Sequence, residues 1–571
     1  MEHELERIRH STAHLLAHAL SQLYPGILFT VGPATESGFF YDFLPRTNLR
    51  EEDLPAIEKR MQELVKKNYP VLFKTVSKDE ARELFKHNPF KLELIEQIEE
   101  PVVGISSQGD FFDLCRGDHV PSTGALGHFK LLNVSGVYWR GDKEKPQLQR
   151  VLGVAFETAE ELAAFIKQRE EALEYDHRKI GEEMDLFSLQ PEGVGFPFFH
   201  PKGLAVIHQL QSFMRSLMTE NGYQEIATPT LLSADLWRRS GHSSFYRDSM
   251  YFVPIDDEEY AIKPMSCPGA FLIYKNRPRS YRELPMRLSE FGHVHRRELS
   301  GVLHGLMRVR AFTQDDAHIM CTLEQMEAEI VNVLKMIFTM LAKTGFETIK
   351  IAIATRPENA MGDPEVWDRA IEVLRAAVEK SGYAYYMKEG EGAFYGPKIE
   401  VGISDLMGRQ WQCSTIQVDF LQPENFDLTY VASSGQKERV VVIHHAIYGS
   451  LERFFGILLE HYKGKLPFWI APLQARILPI TDEERPYAQT VMDTLKHAGV
   501  RVDMDQSSDP LSGKIKAAQL ERIPWMLVIG KKEAAANTVT LRRVDGTQEF
   551  GVTVDELVRR AKSLTDSARP N

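Results

Sequence analysis

Cysteine is scarce in this 571-residue sequence: only Cys115, Cys267, Cys321 and Cys413 occur, and none forms a CxxC pair. That scatter excludes a disulfide framework and leaves thiol chemistry or metal ligation as their open uses. No apolar run approaches the length of a membrane span, and Met1-Glu2-His3-Glu4 does not open a signal peptide, so a cytoplasmic protein with no membrane partner is expected. Excess positive charge is missing too. A formal net charge of −12 argues against a protein that coats nucleic acid, although a local basic surface on an acidic chain still grips a polyanion. Internal repeats and low-complexity tracts are likewise absent. What remains is ordinary globular composition, 43 % hydrophobic, long enough for several domains with their own cores.

The most informative stretch is 290–320, EFGHVHRRELSGVLHGLMRVRAFTQDDAHIM. Extended runs at 290–298 and 306–320 flank a loop at 299–305, which predicts a hairpin. In the second run Arg308, Arg310, Phe312, Gln314, Asp316 and His318 share one face by strand parity, and Arg296 and Glu298 share parity on the first. Cations, a ring, an amide, a carboxylate and an imidazole on one face suit a nucleotide beside a second ligand. The plainer alternative is a polar-out strand pair.

From the N-terminus, residues 5–22 read as an amphipathic helix with His10, His14 and His18 in one stripe. Much later GDFFDLCRGDHV repeats the four-residue spacing with Cys115 and His119. HxxxH plus CxxxH is a donor set zinc accepts, and equally one for buried histidines or a metal-free hydrolytic pocket; spacing leaves these open. With strands at 31–44 and helices at 51–68 and 77–87, the first module is α+β, joined onward by a charged helical segment at 157–184. The next module opens with a turn at Pro197, Pro201 and Gly203, a helix at 204–220 and a strand at 223–228 running into Pro229. Further on come a helix at 323–344, two long strands joined by a turn at 406–409, and VVVIHHAIYGSLERFFGILLEHY as strand, glycine turn and apolar helix. Pro467 and Pro472 mark a boundary, after which alternating strands and helices predict a compact α/β domain with a largely parallel sheet.

Pro229 after its helix and strand, Arg296-Arg297-Glu298 with Phe312, and Gly449-Ser450-Leu451-Glu452-Arg453 resemble, in order and separation, the three signature motifs of class II aminoacyl-tRNA synthetases. KPMSCPGA, TQDDAHIM, FYGPKIE and IHHAIYGSLERF narrow the similarity to bacterial threonyl-tRNA synthetases over nearly the whole chain. The resemblance implies an α+β multidomain protein: an N-terminal α+β editing domain with its connecting helix (1–172), a class II antiparallel-sheet catalytic domain (173–466) and a C-terminal α/β anticodon-binding domain (467–571). It implies ligation of L-threonine to tRNA(Thr) through threonyl-adenylate, with ATP and Mg2+.

The family's zinc ligands match Cys267, His318 and His444, with His445 the adjacent alternative that strand parity does not exclude. Three protein ligands leave zinc a position for the substrate's amino and hydroxyl groups, and valine lacks the hydroxyl. By resemblance Asp316 lies beside that hydroxyl, Arg296 and Arg453 contact ATP phosphates, Phe312 stacks on adenine and Glu298 holds its amino group. Met265, Arg308, Gln314, Tyr395, Lys398, Gln412, Gln417 and Ser450 are implied pocket residues, with His242 near the reacting centre. Tyr395 and Lys398 read equally well as strand-surface residues on sequence alone.

Serine differs from threonine by one methyl, worth about 1–3 kcal/mol, so a second sieve is required. The module with His10, His14, Cys115 and His119 resembles the family's editing domain for seryl-tRNA(Thr), where precedent favours metal-free hydrolysis with Asp113 positioning water and ester. By the same match Glu533 and Arg542 read anticodon bases. The segment Asp505-Gln506-Ser507-Ser508-Asp509-Pro510 departs from the family pattern, as does the lack of a ubiquitin-like domain ahead of the first helix. Relatives form homodimers through the Pro229 region. Two other readings compete: a zinc-dependent hydrolase of RNA-linked esters built on the N-terminal HxxxH/CxxxH cluster, and a non-catalytic RNA binder.

Overall fold

The computed structural model describes residues 2–142, 144–347, 349–358, 360–405 and 408–566. Contacts divide the chain into two compact units, Met1–Glu170 and Glu171–Asn571. The expected catalytic and anticodon segments therefore lie together in the second.

In the first unit α1 (Glu2–Leu23) buries Ile8, Ala13, Leu15, Leu16 and Leu20 on one face. Against it lies a sheet containing β1 (Gly38–Leu44), which pairs antiparallel with a later strand. A smaller three-stranded antiparallel sheet joins β2 (Val71–Ser77), β3 (Val102–Gln108) and β4 (Phe111–Leu114). Between β2 and β3, α2 (Pro89–Gln97) starts at Asn88, whose side-chain oxygen accepts the Phe90 and Lys91 amides. Two longer strands, β5 (Phe129–Tyr138) and β6 (Gln147–Ala155), complete the larger sheet, with β6 the partner of β1. The segment expected to be helical over 157–184 divides into Ala159–Glu174 and α3 (His177–Glu183), with Asp176 capping the second.

The second unit is built on an eight-stranded sheet. Its middle comprises β7 (Met286–His295), β8 (Ala311–Cys321), β9 (Lys398–Ser404), β10 (Gln410–Asp419) and β11 (Val441–Ser450), in the antiparallel order β7-β8-β11-β10-β9. One face is covered by helices Pro201–Glu220, Met326–Lys343 and α4 (Leu451–His461), whose buried Leu210, Ile337 and Phe454 belong to one large apolar cluster. The opposite face carries polar side chains, because alternate strand positions point there.

Three expectations change. The strand expected at 223–228 is only Gln224–Glu225. The hairpin loop is longer than 299–305: β7 ends at His295 and β8 begins at Ala311. Strand alternation fails at 306–310 because consecutive Leu306 and Met307 are both buried, and His304 and Arg308 close a tight turn through reciprocal backbone hydrogen bonds of 3.2 Å. The third is the C-terminal sheet, which is mixed. Val502–Met504, Ala475–Pro479 and Trp525–Ile529 pair in parallel, but Thr538–Arg543 and Gln548–Thr553 add an antiparallel hairpin. Leu406 and Met407 of the expected turn at 406–409 lie outside the described residues.

Candidate functional site

His318 on β8 and His444 on β11 are cross-strand partners, so both imidazoles emerge on the same sheet face, their ring centroids 5.0 Å apart. Cys267, at the start of the helix Cys267–Lys275, completes a buried group whose ligand atoms all lie within 4.8 Å of one another. The His318 Nε2 atom is buried with no hydrogen-bond partner among the described residues. His444 Nε2 is taken by Asp419 Oδ2 at 2.9 Å, leaving Nδ1 as its free nitrogen. A thiol, an orphaned nitrogen and an imidazole braced by a carboxylate fit zinc in donor chemistry and spacing. His445 is not part of this group: its Nε2 meets the Tyr223 hydroxyl at 2.7 Å, although the residue also borders the cleft.

Around this group opens a cavity of about 350 Å3 lined by His242, Met265, Arg296, Glu298, Arg308, Phe312, Gln314, Asp316, Tyr395, Lys398, Gln412, Gln417, Ser450 and Arg453 as well as the three donors. Arg296 lies over the Phe312 ring, 5.2 Å from its centroid, with Nε donating to the Pro264 carbonyl. Arg308 donates to Glu298 at 3.0 Å. Arg453 Nε donates to the Met307 carbonyl at 2.9 Å and its terminal nitrogen to that of Gln412 at 3.1 Å. These hydrogen bonds hold three guanidinium groups at one end of the cleft despite their like charge. Arg310, expected on this face by parity, instead clamps the loop: it donates to Glu298 O, Val194 O and Ser300 Oγ.

At the other end Tyr395 hydrogen-bonds Gln417, and Lys398 pairs with Glu400 at 2.6 Å. Burial pushes the Asp316 carboxyl up to about 6 and His242 down to about 3, the latter lowered further by His444 and Arg296 charge. His242 Nδ1 meets Ser240 Oγ at 2.7 Å, and its Nε2 is buried without a hydrogen-bond partner among the described residues.

Two supporting carboxylates escaped sequence reasoning: strand parity turns Asp315 away from the cleft, and Glu452 sits in the first turn of α4, where no strand pattern applies. Between Gln314 and Asp316 the β8–β11 register slips by a bulge, where Gly449 has φ +77°. Asp315 fills it: Oδ2 accepts the Ile447 and Tyr448 amides and Oδ1 that of Gly449, all at 2.9 Å. Burial outweighs those three donors and raises its carboxyl to about 7. Glu452 accepts the Thr313 amide at 2.9 Å and the Ser450 hydroxyl at 3.1 Å. Ser450 in turn caps α4 by accepting the Arg453 amide. The paired aspartates of TQDDAH were the only visible sign of one carboxylate per face.

In the first unit the second cluster assembles from α1, β4 and the loop after it. His10, His14, Cys115 and His119 bring donor atoms within 4.8 Å, with Cys115 Sγ 3.0 Å from His119 Nε2 and 3.5 Å from His10 Nε2. Burial pushes the Cys115 thiol up to about 11 and His119 down to about 4, and lowers His10 and His14. All four are therefore uncharged near neutrality. Asp113 lies 3.8 Å from His14 and is paired with buried Lys91 and hydrogen-bonded by Tyr41. Lys91, Tyr41 and Ser11, which meets His119 Nδ1 at 3.0 Å, were not readable from spacing. His18, third in the histidine stripe, is absent from the cluster and bonds Asp110 at 2.7 Å.

The anticodon candidates are not brought together by any direct interaction. Glu533 is committed locally, accepting the Gly530 amide at 3.0 Å and the Thr540 hydroxyl at 2.9 Å. Arg542 lies on the adjacent strand with a buried Nε that lacks a hydrogen-bond partner among the described residues. In the divergent segment, Asp505 accepts Ser507 while Gln506 accepts Arg485 at 2.6 Å.

Comparison with known proteins matches residues 251–462 to the tRNA synthetase class II core domain (G, H, P, S and T), 474–564 to an anticodon binding domain, and 103–151 to the threonyl and alanyl tRNA synthetase second additional domain. A threonine–tRNA ligase of Thermotoga maritima is 49 % identical over 98 % of this chain and 88 % of its own length. One from Carboxydothermus hydrogenoformans is 48 % identical over 96 % of this chain and 88 % of its own. Among solved structures, the RNA binding domain of threonyl-tRNA synthetase from Cryptosporidium parvum superposes with a TM-score of 0.66 at 40 % identity, covering 68 % of this chain and 98 % of that one. On this sequence identity, over nearly its whole length, the chain belongs to the threonine–tRNA ligase family of class II aminoacyl-tRNA synthetases.

Proposed function

We infer that the protein attaches L-threonine to tRNA(Thr) at the expense of ATP and hydrolyses mischarged seryl-tRNA(Thr) in its N-terminal unit. One observation carries the reading of the cleft: a soft-ligand triad and an arginine-lined nucleotide end share one cavity on one sheet face. Zinc held by Cys267, His318 and His444 would supply a Lewis-acidic site for the amino and hydroxyl groups of the amino acid. Asp316 faces the same space to accept from the hydroxyl. Phe312 offers a face to adenine, and Arg296, Arg308 and Arg453 compensate phosphate charge as the threonine carboxylate attacks the α-phosphorus, with Mg2+ accompanying ATP. His242, held neutral by burial, positions the reacting groups, while Gln314, Gln412, Gln417, Tyr395 and Lys398 line the rest of the same cavity.

For editing, neutral His10, His14, His119 and Cys115 orient water and ester around Asp113, without a metal. The hydrolase alternative, with zinc at this cluster as the main site, is not favoured by the class II core and its cavity. Glu533 and Arg542 are proposed as anticodon contacts, a role that requires Glu533 to exchange its local hydrogen bonds for a base. The homodimer proposal is supported by exposed Pro229 and Leu231 beside the edge strand Gln224–Glu225. No helix among the described residues is long and apolar enough to cross a membrane, and the cytoplasmic placement rests on four free cysteines.

Threonine-dependent exchange of pyrophosphate into ATP tests the central claim. Threonine should be active, serine weaker and valine almost inert; equal valine activity removes the chelation argument. Zinc content distinguishes the alternative, since Cys267→Ala should lose the metal and His10→Ala should keep it.

A further inference from the structure

The loop between β7 and β8 carries Arg308, yet the sheet does not hold its deepest residue. Leu306 is fully buried, and its amide donates to Nε2 of His177 at 3.0 Å. His177 is itself fully buried at the first position of α3. Its other nitrogen, Nδ1, is 2.8 Å from Glu460 Oε1 on α4. These partners fix the tautomer. A backbone N–H requires a lone pair, so Nε2 is unprotonated and Nδ1 carries the hydrogen donated to Glu460. A carboxylate behind an imidazole strengthens the far nitrogen as an acceptor. Asp176, His177 and Glu460 also bring donor atoms within 4.8 Å, but with both ring nitrogens engaged no imidazole lone pair remains for a cation.

The contact is built into the loop. Gly305 has φ +49°, and a Cβ there would lie 2.1 Å from His177 Nε2, so only glycine lets the backbone pass the ring this closely. One residue past Leu306, the Met307 carbonyl accepts Arg453 Nε at 2.9 Å. Arg453 and Glu460 lie about two turns apart on α4. The loop is thus pinned to that helix at two points, through Arg453 directly and through Glu460 by way of His177.

We propose that His177 is a positioning residue for the ATP end of the cleft, holding the Leu306 amide so that Met307 aims Arg453 and Arg308 faces the nucleotide. The proposal rests on the ligase reading above. Full-length variants separate it from a merely structural role. His177→Asn keeps a donor toward Glu460 but does not reach Leu306, whereas His177→Gln places an amide oxygen near the position of Nε2. In threonine-dependent pyrophosphate exchange, His177→Asn should raise the KM for ATP about tenfold and leave that for threonine within about twofold, and His177→Gln should restore most of the loss. Gly305→Ala, which drives a methyl group against the ring, should reproduce the ATP-selective rise and decides the matter if His177→Asn does not fold. Seryl-tRNA hydrolysis should stay unchanged throughout. Equal losses in the Asn and Gln variants, parallel rises in both KM values, or no rise at all would overturn the proposal. A wild-type protein without threonine-dependent exchange would instead defeat the ligase reading.

Discussion

His444 and Asp419 form a buried hydrogen-bonded pair, Nε2 to Oδ2 at 2.9 Å, and the other Asp419 oxygen accepts the Leu421 and Gln422 amides at the same distance. The backbone thereby fixes the carboxylate, and the carboxylate fixes the imidazole with Nδ1 free for metal. Losing such a brace typically weakens metal binding about 10–100-fold. Asp419→Asn should therefore give up zinc to a competing chelator at correspondingly lower chelator concentration. Unchanged retention would mean that His444 is oriented by packing alone.

Asp315 makes a separate prediction about the bulge that places Ser450 and Arg453. An asparagine can keep an oxygen toward Ile447 and Tyr448, but its NH2 group then confronts the Gly449 N–H. Two buried donors facing each other should cost about 1–3 kcal/mol each. Asp315→Asn should lower the midpoint of denaturant unfolding and, by displacing Arg453, reduce pyrophosphate exchange more than Asp315→Glu does. A variant of wild-type stability would show that the bulge holds its shape without the carboxylate.

Period-two alternation brought Phe312, Gln314, Asp316 and His318 onto one face before any coordinates were needed, because a strand leaves side chains only two directions. The same rule failed at Arg310, where burial of Leu306 and Met307 overrode alternation and bent the chain into a turn. It could not choose between His444 and His445, since facing requires knowing which strand lies alongside. Asp419, Glu452, Lys91 and Tyr41 were illegible for a related reason: the partner that gives each its role, His444, Thr313 or Asp113, is distant in sequence. The mixed C-terminal sheet was readable but missed, for Asp545-Gly546 between two short strands is a strong hairpin signal.

Lys91 and Asp113 are both almost fully buried and form an ion pair, with Lys91 also 3.3 Å from the Tyr41 hydroxyl. Removing one partner of a buried pair leaves an uncompensated charge and costs about 3–5 kcal/mol. Lys91→Met should thus destabilise the protein and abolish seryl-tRNA hydrolysis while leaving threonine activation intact. The double variant Lys91→Met/Asp113→Leu should recover stability without recovering hydrolysis. If the single variant edits normally, Asp113 is not the group that organises the pocket.

The imidazole of His119 supplies the pH prediction. Burial holds its folded pKa at about 4, below the ordinary 6.5 of the unfolded chain. Between those values the unfolded chain binds a proton that the folded one refuses, so this contribution to stability is complete above 6.5 and lost as pH falls toward 4. Activity follows the same sign. Hydrolysis of seryl-tRNA that needs neutral His119 should stay level as pH falls through the range where an exposed histidine would protonate, and decline only near pH 4. Single-turnover deacylation across that range, beside a His119→Asn control, reads this directly. An inflection near the ordinary histidine value would mean that water reaches the ring, and with it that the pocket does not keep its donors neutral by exclusion of solvent.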